Sequence, residues 1–293
     1  MSEALAQSLV FGVLVGTIYG LAALGLSLVF GVTRFLNVSH GELLMYGGYA
    51  SFWAFTLWGV DPFLTIPFAI IFLLLIGLVL YKLLFARMVR LPEETKIRNT
   101  LLIGFGLSLI LQNIALRLWT ADDRSIVAAY SGEALTLYGV RFPFVRLLSV
   151  GVALVCFIAL HQFLRRTYTG KAIRATVEDW EAAAMMGIDT NRVSQLAFVI
   201  GAALAGIAGT LVVISYSIEP SMGLEWTLIA LIVMVLGGLG SIMGTLAGGI
   251  ILGVSQAATS YFIGGNYREI VGLLIFLMVL ILRPQGLFGT RRE

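Results

Sequence analysis

The sequence predicts an all-α protein, a polytopic bundle of about nine membrane-spanning helices, and three observations carry that prediction. Of 293 residues, 59% are hydrophobic and only 12% are charged, with a mean hydropathy of +0.97, so a soluble domain with a polar surface is excluded. Long stretches free of ionisable residues recur through the chain, at about 4–33, 43–60, 62–81, 99–116, 147–160, 193–218, 226–267 and 270–282. Basic residues alternate in density between the intervening loops, as they do when a chain crosses a bilayer repeatedly.

Each stretch is then justified by length. The first follows Met1-Ser2-Glu3-Ala4-Leu5-Ala6-Gln7, which lacks the positive segment of a cleaved signal, and is too long for a signal core; it is expected to be a permanent span. The stretch 226–267 would make about 60 Å of helix, twice the apolar thickness of a bilayer. It must fold back, and Gly237-Gly238-Leu239-Gly240-Ser241 is the expected turn, which brings the count to nine within a range of eight to ten. The last stretch reaches only about 20 Å, so Tyr267, Arg268 and Arg283 are expected at its interfaces.

Nine spans put the termini on opposite sides. With the N-terminus outside, the inner side holds fourteen Lys/Arg: Arg34, five in 82–98, five in 165–192 and three after 282. The outer side holds five, Arg117, Arg124, Arg141, Arg146 and Arg268. Acidic residues divide eight and eight, so the net charge of +3 reports topology and not nucleic-acid binding. The C-terminus is thereby expected in the cytoplasm.

Gly12, Gly16 and Gly20 recur at a spacing of four, as do Gly240, Gly244 and Gly248, and Gly201, Ala205 and Gly209 make a third small-residue row. Such rows let helix backbones approach closely, and are read first as packing surfaces. No internal repeat is evident. No polar loop is long enough for a separate soluble domain, so residues 1–293 are expected to form a single membrane domain.

Two polar segments are candidate functional elements. Asn37-Val38-Ser39-His40-Gly41-Glu42 lies between the first two stretches; Ser39 and Glu42 fit a capping box that starts the second helix. Asn37, Ser39, His40 and Glu42 are also polar groups at the edge of an apolar bundle, where they are costly and suit a pathway or gate. The segment 165–192 is expected to hold one short helix from Glu178 to Met186, with Thr176 and Asp179 as its caps and Gly187 as its stop. Its Trp180, Met185 and Met186 are wasted on solvent, so Glu178, Asp179, Trp180, Glu181, Ala183, Met185, Met186 and Gly187 are read as a docking surface for another protein.

Chemistry of other kinds is missing from the sequence. Thr169-Gly170-Lys171-Ala172 lacks the earlier glycine and the following Ser/Thr of a phosphate loop. Acidic residues map to loops and form no intramembrane proton ladder, and Cys156, His40 and His161 give neither a disulfide nor a zinc-like cluster. No catalytic constellation is expected.

Taken together, Asn37-Val38-Ser39-His40-Gly41-Glu42, Gly170-Lys171-Ala172-Ile173-Arg174-Ala175, Met186-Gly187-Ile188-Asp189, Ala197-Phe198-Val199-Ile200-Gly201-Ala202-Ala203-Leu204-Ala205-Gly206, Leu236-Gly237-Gly238-Leu239-Gly240-Ser241-Ile242 and the tail Arg283-Pro284-Gln285-Gly286-Leu287-Phe288-Gly289 make a specific set. Across nearly its whole length the chain resembles the permease subunits of bacterial ABC importers for branched-chain amino acids, the LivH-like half of the LivH/LivM pair. The resemblance implies an importer permease of the type II kind in the inner membrane. It implies as partners a second, LivM-like permease, two cytoplasmic ATPase subunits, a periplasmic substrate-binding protein and membrane lipid, with ATP and Mg held by the ATPases and no cofactor on this chain. It turns the docking helix into an ATPase-coupling helix, and the outer loops with Asp122, Asp123, Arg124, Glu133, Glu219 and Glu225 into the surface for the binding protein. Import of urea, amides or small carboxylates stays open within that family, as does, outside it, a self-sufficient channel or secondary transporter.

Overall fold

The structure, a computed structural model, describes residues 2–89, 91–137, 139–283 and 285–288. Arg90, Arg291 and Arg292 of the basic count, and Pro284 and Gly289 of the tail motif, lie outside the described residues.

The chain runs through α1 (Ser2–Thr33), α2 (His40–Trp58), α3 (Ile66–Leu80), α4 (Glu93–Trp119), α5 (Phe144–Arg166), α6 (Tyr168–Glu178), α7 (Trp180–Met185), α8 (Thr190–Ser215), α9 (Met222–Gly237), α10 (Ile242–Phe262) and α11 (Arg268–Leu282). Leaving aside the short pair α6 and α7, these are the nine predicted stretches, and the turn between α9 and α10 falls at Gly237–Ser241 as expected. Seven, α1, α3, α4, α5, α8, α10 and α11, lie in segments long and apolar enough to cross a membrane. The two that fall short, α2 and α9, both begin inside the bundle.

One departure from the all-helical expectation is a small antiparallel hairpin, β1 (Ala134–Leu137) with β2 (Val140–Pro143), between α4 and α5, pairing Leu137 with Val140. Another is a π-helical turn, Tyr81–Phe85, that extends α3. It brings Phe85 into a stack on Phe35 with ring centroids 5.2 Å apart, and Tyr81 Oη donates to the Asn191 carbonyl oxygen at 3.1 Å.

The core is built by close backbone contact. α1 and α10 run antiparallel through interlocked glycines: a Cβ on Gly16 would stand 2.5 Å from the Gly249 carbonyl oxygen, and one on Gly12 would stand 2.8 Å from that of Gly253. The predicted row Gly240, Gly244 and Gly248 does not meet α1 in this way. Gly244 and Gly248 face α9 at Gly237 and Val233, while Gly240, at φ +79°, shapes the turn over Gly31. α10 thus carries glycines on two faces and is gripped from both sides. At the centre lies α8, whose Gly201 rests on the Gly25 carbonyl of α1, Gly206 on α3 at Ala69, and Gly209 on α2 at Leu44.

Candidate functional site

The segment Asn37–Glu42 does not sit at the bundle edge. At Arg34 the backbone turns through a left-handed conformation (φ +54°), and residues 34–39 run back beside α1 before α2 begins. His40 Nε2 is 2.9 Å from the Ala22 carbonyl oxygen, and Ala22 precedes the end of α1 by eleven residues, about 16 Å of helix. Asn37, Ser39, His40 and Glu42 are all buried, at 3% exposure or less. Irregular backbone at such depth persists only where neighbouring helices satisfy its polar groups.

They do so residue by residue. Thr227 Oγ1 on α9 accepts from Gly41 N at 2.8 Å and donates to the Val38 carbonyl at 2.9 Å. Ser39 Oγ donates to Asn37 Oδ1 at 2.7 Å. Ser108 Oγ, midway along α4, donates to Glu42 Oε1 at 2.8 Å, while Glu42 Oε2 has no partner. The capping box expected between Ser39 and Glu42 is therefore absent: the Ser39 side chain caps no helix amide, because Asn37 takes its hydroxyl and Ser108 takes the carboxylate.

Two glycines make this junction possible. A Cβ on Gly41 would run into the Gly223 carbonyl oxygen and Thr227, and one on Gly223 into the Glu42 carboxylate. The first turns of α2 and α9 thus cross within the bundle, with α9 beginning at buried Met222 and Gly223. Sequence reasoning missed Thr227, Ser108 and Gly223, since a lone Thr, Ser or Gly in an apolar run carries no local signal of a distant partner.

Beside α9 an open cavity of about 710 Å³ lies between α1, α9 and α10. Its deep wall holds Tyr19, whose ring meets Trp226 edge-on at 5.8 Å and whose hydroxyl donates to Gln256 Oε1 at 3.1 Å. Its mouth holds Asp123, Glu219, Glu225 and Arg268, so it is polar and charged outside and aromatic within. Asp123, Glu219 and Glu225, expected on an outer docking surface, line this mouth. Arg124 is drawn inward: its guanidinium lies 5.4 Å from the ring centroids of both Phe52 and Trp53, and its backbone pairs with Ile218. Asp122 bonds locally to Thr120 Oγ1 at 2.6 Å, and the Glu133 carbonyl accepts from Phe144 N at 3.0 Å at the base of the hairpin.

At the opposite end, the single helix predicted over Glu178–Met186 is two helices. α6 is capped by Thr167, which accepts from Gly170 N at 2.9 Å, and it ends at Glu178. Asp179 is extended (φ −147°, ψ +110°) and its carboxylate accepts from the Glu181 and Ala182 amides at 2.9 and 3.0 Å, starting α7. Thr176 caps nothing; it bonds back to the Ala172 carbonyl within α6. Gly187, at φ +83°, follows α7 as the expected stop. Glu178, Asp179, Glu181, Met185, Met186 and Gly187 are exposed and Ala183 is buried. Trp180 departs from expectation: it is half-buried on the chain's own core, with the Lys96 ammonium 5.9 Å from its ring centroid. The exposed apolar tip is Met185 and Met186, 81% and 83% exposed.

A helical membrane bundle with helices broken at depth, a cavity with a charged mouth and a projecting helical elbow has the anatomy of a transport subunit. Residues 8–282 match the family described as "Branched-chain amino acid transport system / permease component", and the chain belongs to that family. It is 31% identical over 293 residues to the high-affinity branched-chain amino acid transport system permease protein BraD of Pseudomonas aeruginosa, covering 97% of this chain and 95% of that relative. It is 32% identical over 296 residues to the LivH permease of the corresponding Escherichia coli K12 system, with the same coverage. To the LivM permease of that organism it is 31% identical over 154 residues, 52% of this chain and 36% of the relative. Among solved structures it is similar to PsaBC from Streptococcus pneumoniae in complex with Fab, at 15% identity and a TM-score of 0.48, covering 95% and 92% of the two chains.

Proposed function

We propose that this permease imports branched-chain amino acids as half of an ATP-driven translocation unit, completed by a second, homologous permease, two cytoplasmic ATPases and a periplasmic binding protein. The carrying observation is likeness over 97% of the chain to BraD and LivH. The partial likeness to LivM supports a related partner permease. ATP and Mg belong to the ATPases in this reading, and the N-terminus and the outer cavity face the periplasm, as the basic bias of the loops favours.

The elbow α6–α7 is the ATPase-coupling element. A Cβ on Gly170 would run into the Phe163 carbonyl oxygen of α5, so α6 is pressed onto the α5 end. Asp189 caps α8 by accepting from Arg192 N at 3.1 Å. A partner that grips Met185 and Met186 therefore moves α5 and the central α8 together, as rigid elements.

Uptake of labelled leucine, measured in cells that lack their own branched-chain transport and express the chain with its cognate partners, tests the assignment. Saturable uptake that vanishes when the ATPases are omitted is expected; uptake without them would make the chain a self-sufficient transporter, and competition by urea or amides instead of leucine would reassign the substrate. Cysteines at Asp122 and Lys171, in a Cys156→Ser background, test orientation with a membrane-impermeant thiol reagent. Labelling at Asp122→Cys from outside and none at Lys171→Cys is expected.

A further inference from the structure

At the elbow end a second cavity, of about 500 Å³, is walled by α1, α5, α6 and the start of α10. Its rim is basic: exposed Arg165 on α5 and exposed Lys171 and Arg174 on α6, with His161 one turn deeper. Glu178 is the single carboxylate among its described lining residues. The ion pairs among the described residues, Arg192 with Asp189 and Arg268 with Glu269, leave Arg165, Lys171 and Arg174 without an anionic partner. Below the rim the wall is apolar, through Leu28 and Leu164 to Met243, which is 49% exposed on the outside of α10. Two serines lie in that wall, and Ser241 Oγ already accepts from Gly244 N. Ser27 is among the lining residues, is 1% exposed, and its buried Oγ has no hydrogen-bond partner. It lies about 9 Å in from the end of α1.

A basic rim demands an anion, the unpartnered hydroxyl demands an acceptor a few ångströms deeper, and the apolar wall demands hydrocarbon. A soluble phosphate meets only the first demand. We infer that this cavity seats an anionic phospholipid of the adjoining leaflet, its phosphate between Lys171 and Arg174, an ester carbonyl accepting from Ser27, and its acyl chains leaving over Met243. The lipid ties α6 to α1 and α5, and so stiffens the elbow. This site is separate from the outer cavity and depends neither on the transported substrate nor on the orientation of the chain.

The test is lipid binding to the permease purified with its partner permease in detergent, read by native mass spectrometry and by thermal shift. Phosphatidylglycerol is compared with phosphatidylcholine and with glycerol 3-phosphate. Wild type is expected to retain and be stabilised by phosphatidylglycerol alone. Lys171→Gln with Arg174→Gln should weaken that binding about 25-fold, two basic contacts each worth about fivefold, while Lys171→Arg with Arg174→Lys retains it. Ser27→Ala, which leaves the rim charge intact, should weaken it by a smaller factor and covers the case in which the double variant does not fold. Equal stabilisation by phosphatidylcholine, full stabilisation by glycerol 3-phosphate, or unchanged lipid retention in the neutralised and Ser27→Ala variants overturns the proposal.

Discussion

The chain interrupts its helices in two places under opposite conditions. At residues 34–42 the break is buried, and most of its polar groups are answered from other helices: His40 by Ala22, Gly41 and Val38 by Thr227, one Glu42 oxygen by Ser108, while Ser39 turns to Asn37. At residues 166–190 the breaks are made by side chains that cap their own chain, Thr167, Asp179 and Asp189. Water supplies what the caps omit. A buried break therefore needs distant partners and glycine clearance, whereas an exposed one needs only a local side chain. Damage at the first should spread through the bundle, and damage at the second should stay in the elbow.

The harshest way to break this contrast is Gly41→Val. Its side chain would enter the Gly223 carbonyl and Thr227, and overpacking of this kind costs about 3 kcal/mol. Detergent-extracted protein should lose its monodisperse peak in size-exclusion chromatography; a wild-type peak would mean that α2 and α9 separate freely. Ala183→Pro breaks the six-residue α7 at a comparable local cost, about 3 kcal/mol, yet the peak should persist while leucine uptake and stimulation of ATP hydrolysis fall. If bundle and coupling fail together, the elbow is not an independent lever.

Glu42→Ala should cost about 1 to 3 kcal/mol because it leaves the Ser108 hydroxyl without its acceptor. Glu42→Gln keeps an acceptor and should recover thermal stability. Lost uptake in a stable Glu42→Gln protein would then assign the carboxylate itself to gating. The smallest effect on stability belongs to Met185→Ser with Met186→Ser, within about 0.5 kcal/mol since both side chains are exposed. Copurification of the ATPases should nevertheless drop. Trp180→Ala sharpens the point: with its ring on the chain's own core it should lower melting temperature as well as coupling, and a loss of coupling alone would return Trp180 to the docking surface.

How much of this was legible depends on whether the cause lay near in sequence. The turn at Gly237–Ser241 was readable because an uncharged run too long for one crossing must fold back, and glycine marks where. The glycine row in α1 was readable as a packing face, but spacing states which face is small and not which helix meets it; Gly249 and Gly253 meet α1, while Gly244 and Gly248 meet α9. Ser39 and Glu42 satisfied a local capping rule and were claimed by Asn37 and Ser108, a tertiary override that no window of sequence displays. Asp179 misled in a different way. The same carboxylate that begins α7 requires its own backbone to be extended, and so ends α6. The outer cavity gathers Tyr19, Trp226, Gln256 and Arg268 from segments far apart in sequence, and had no signature before the helices were assembled.

Beyond α11 the chain returns to the bundle: Leu287 N donates to the Leu236 carbonyl at 2.9 Å and Phe288 N to that of Gly237 at 3.2 Å. α11 fully buries only Gly272 and half-buries Ile275, Phe276 and Val279 against the bundle, and this short clasp adds two backbone hydrogen bonds just past its end. Ribosomes deliver a chain from its N-terminus, which makes the clasp the latest of the described contacts that synthesis permits. Until it closes, the Leu236 and Gly237 carbonyls at the end of α9 lack these two donors.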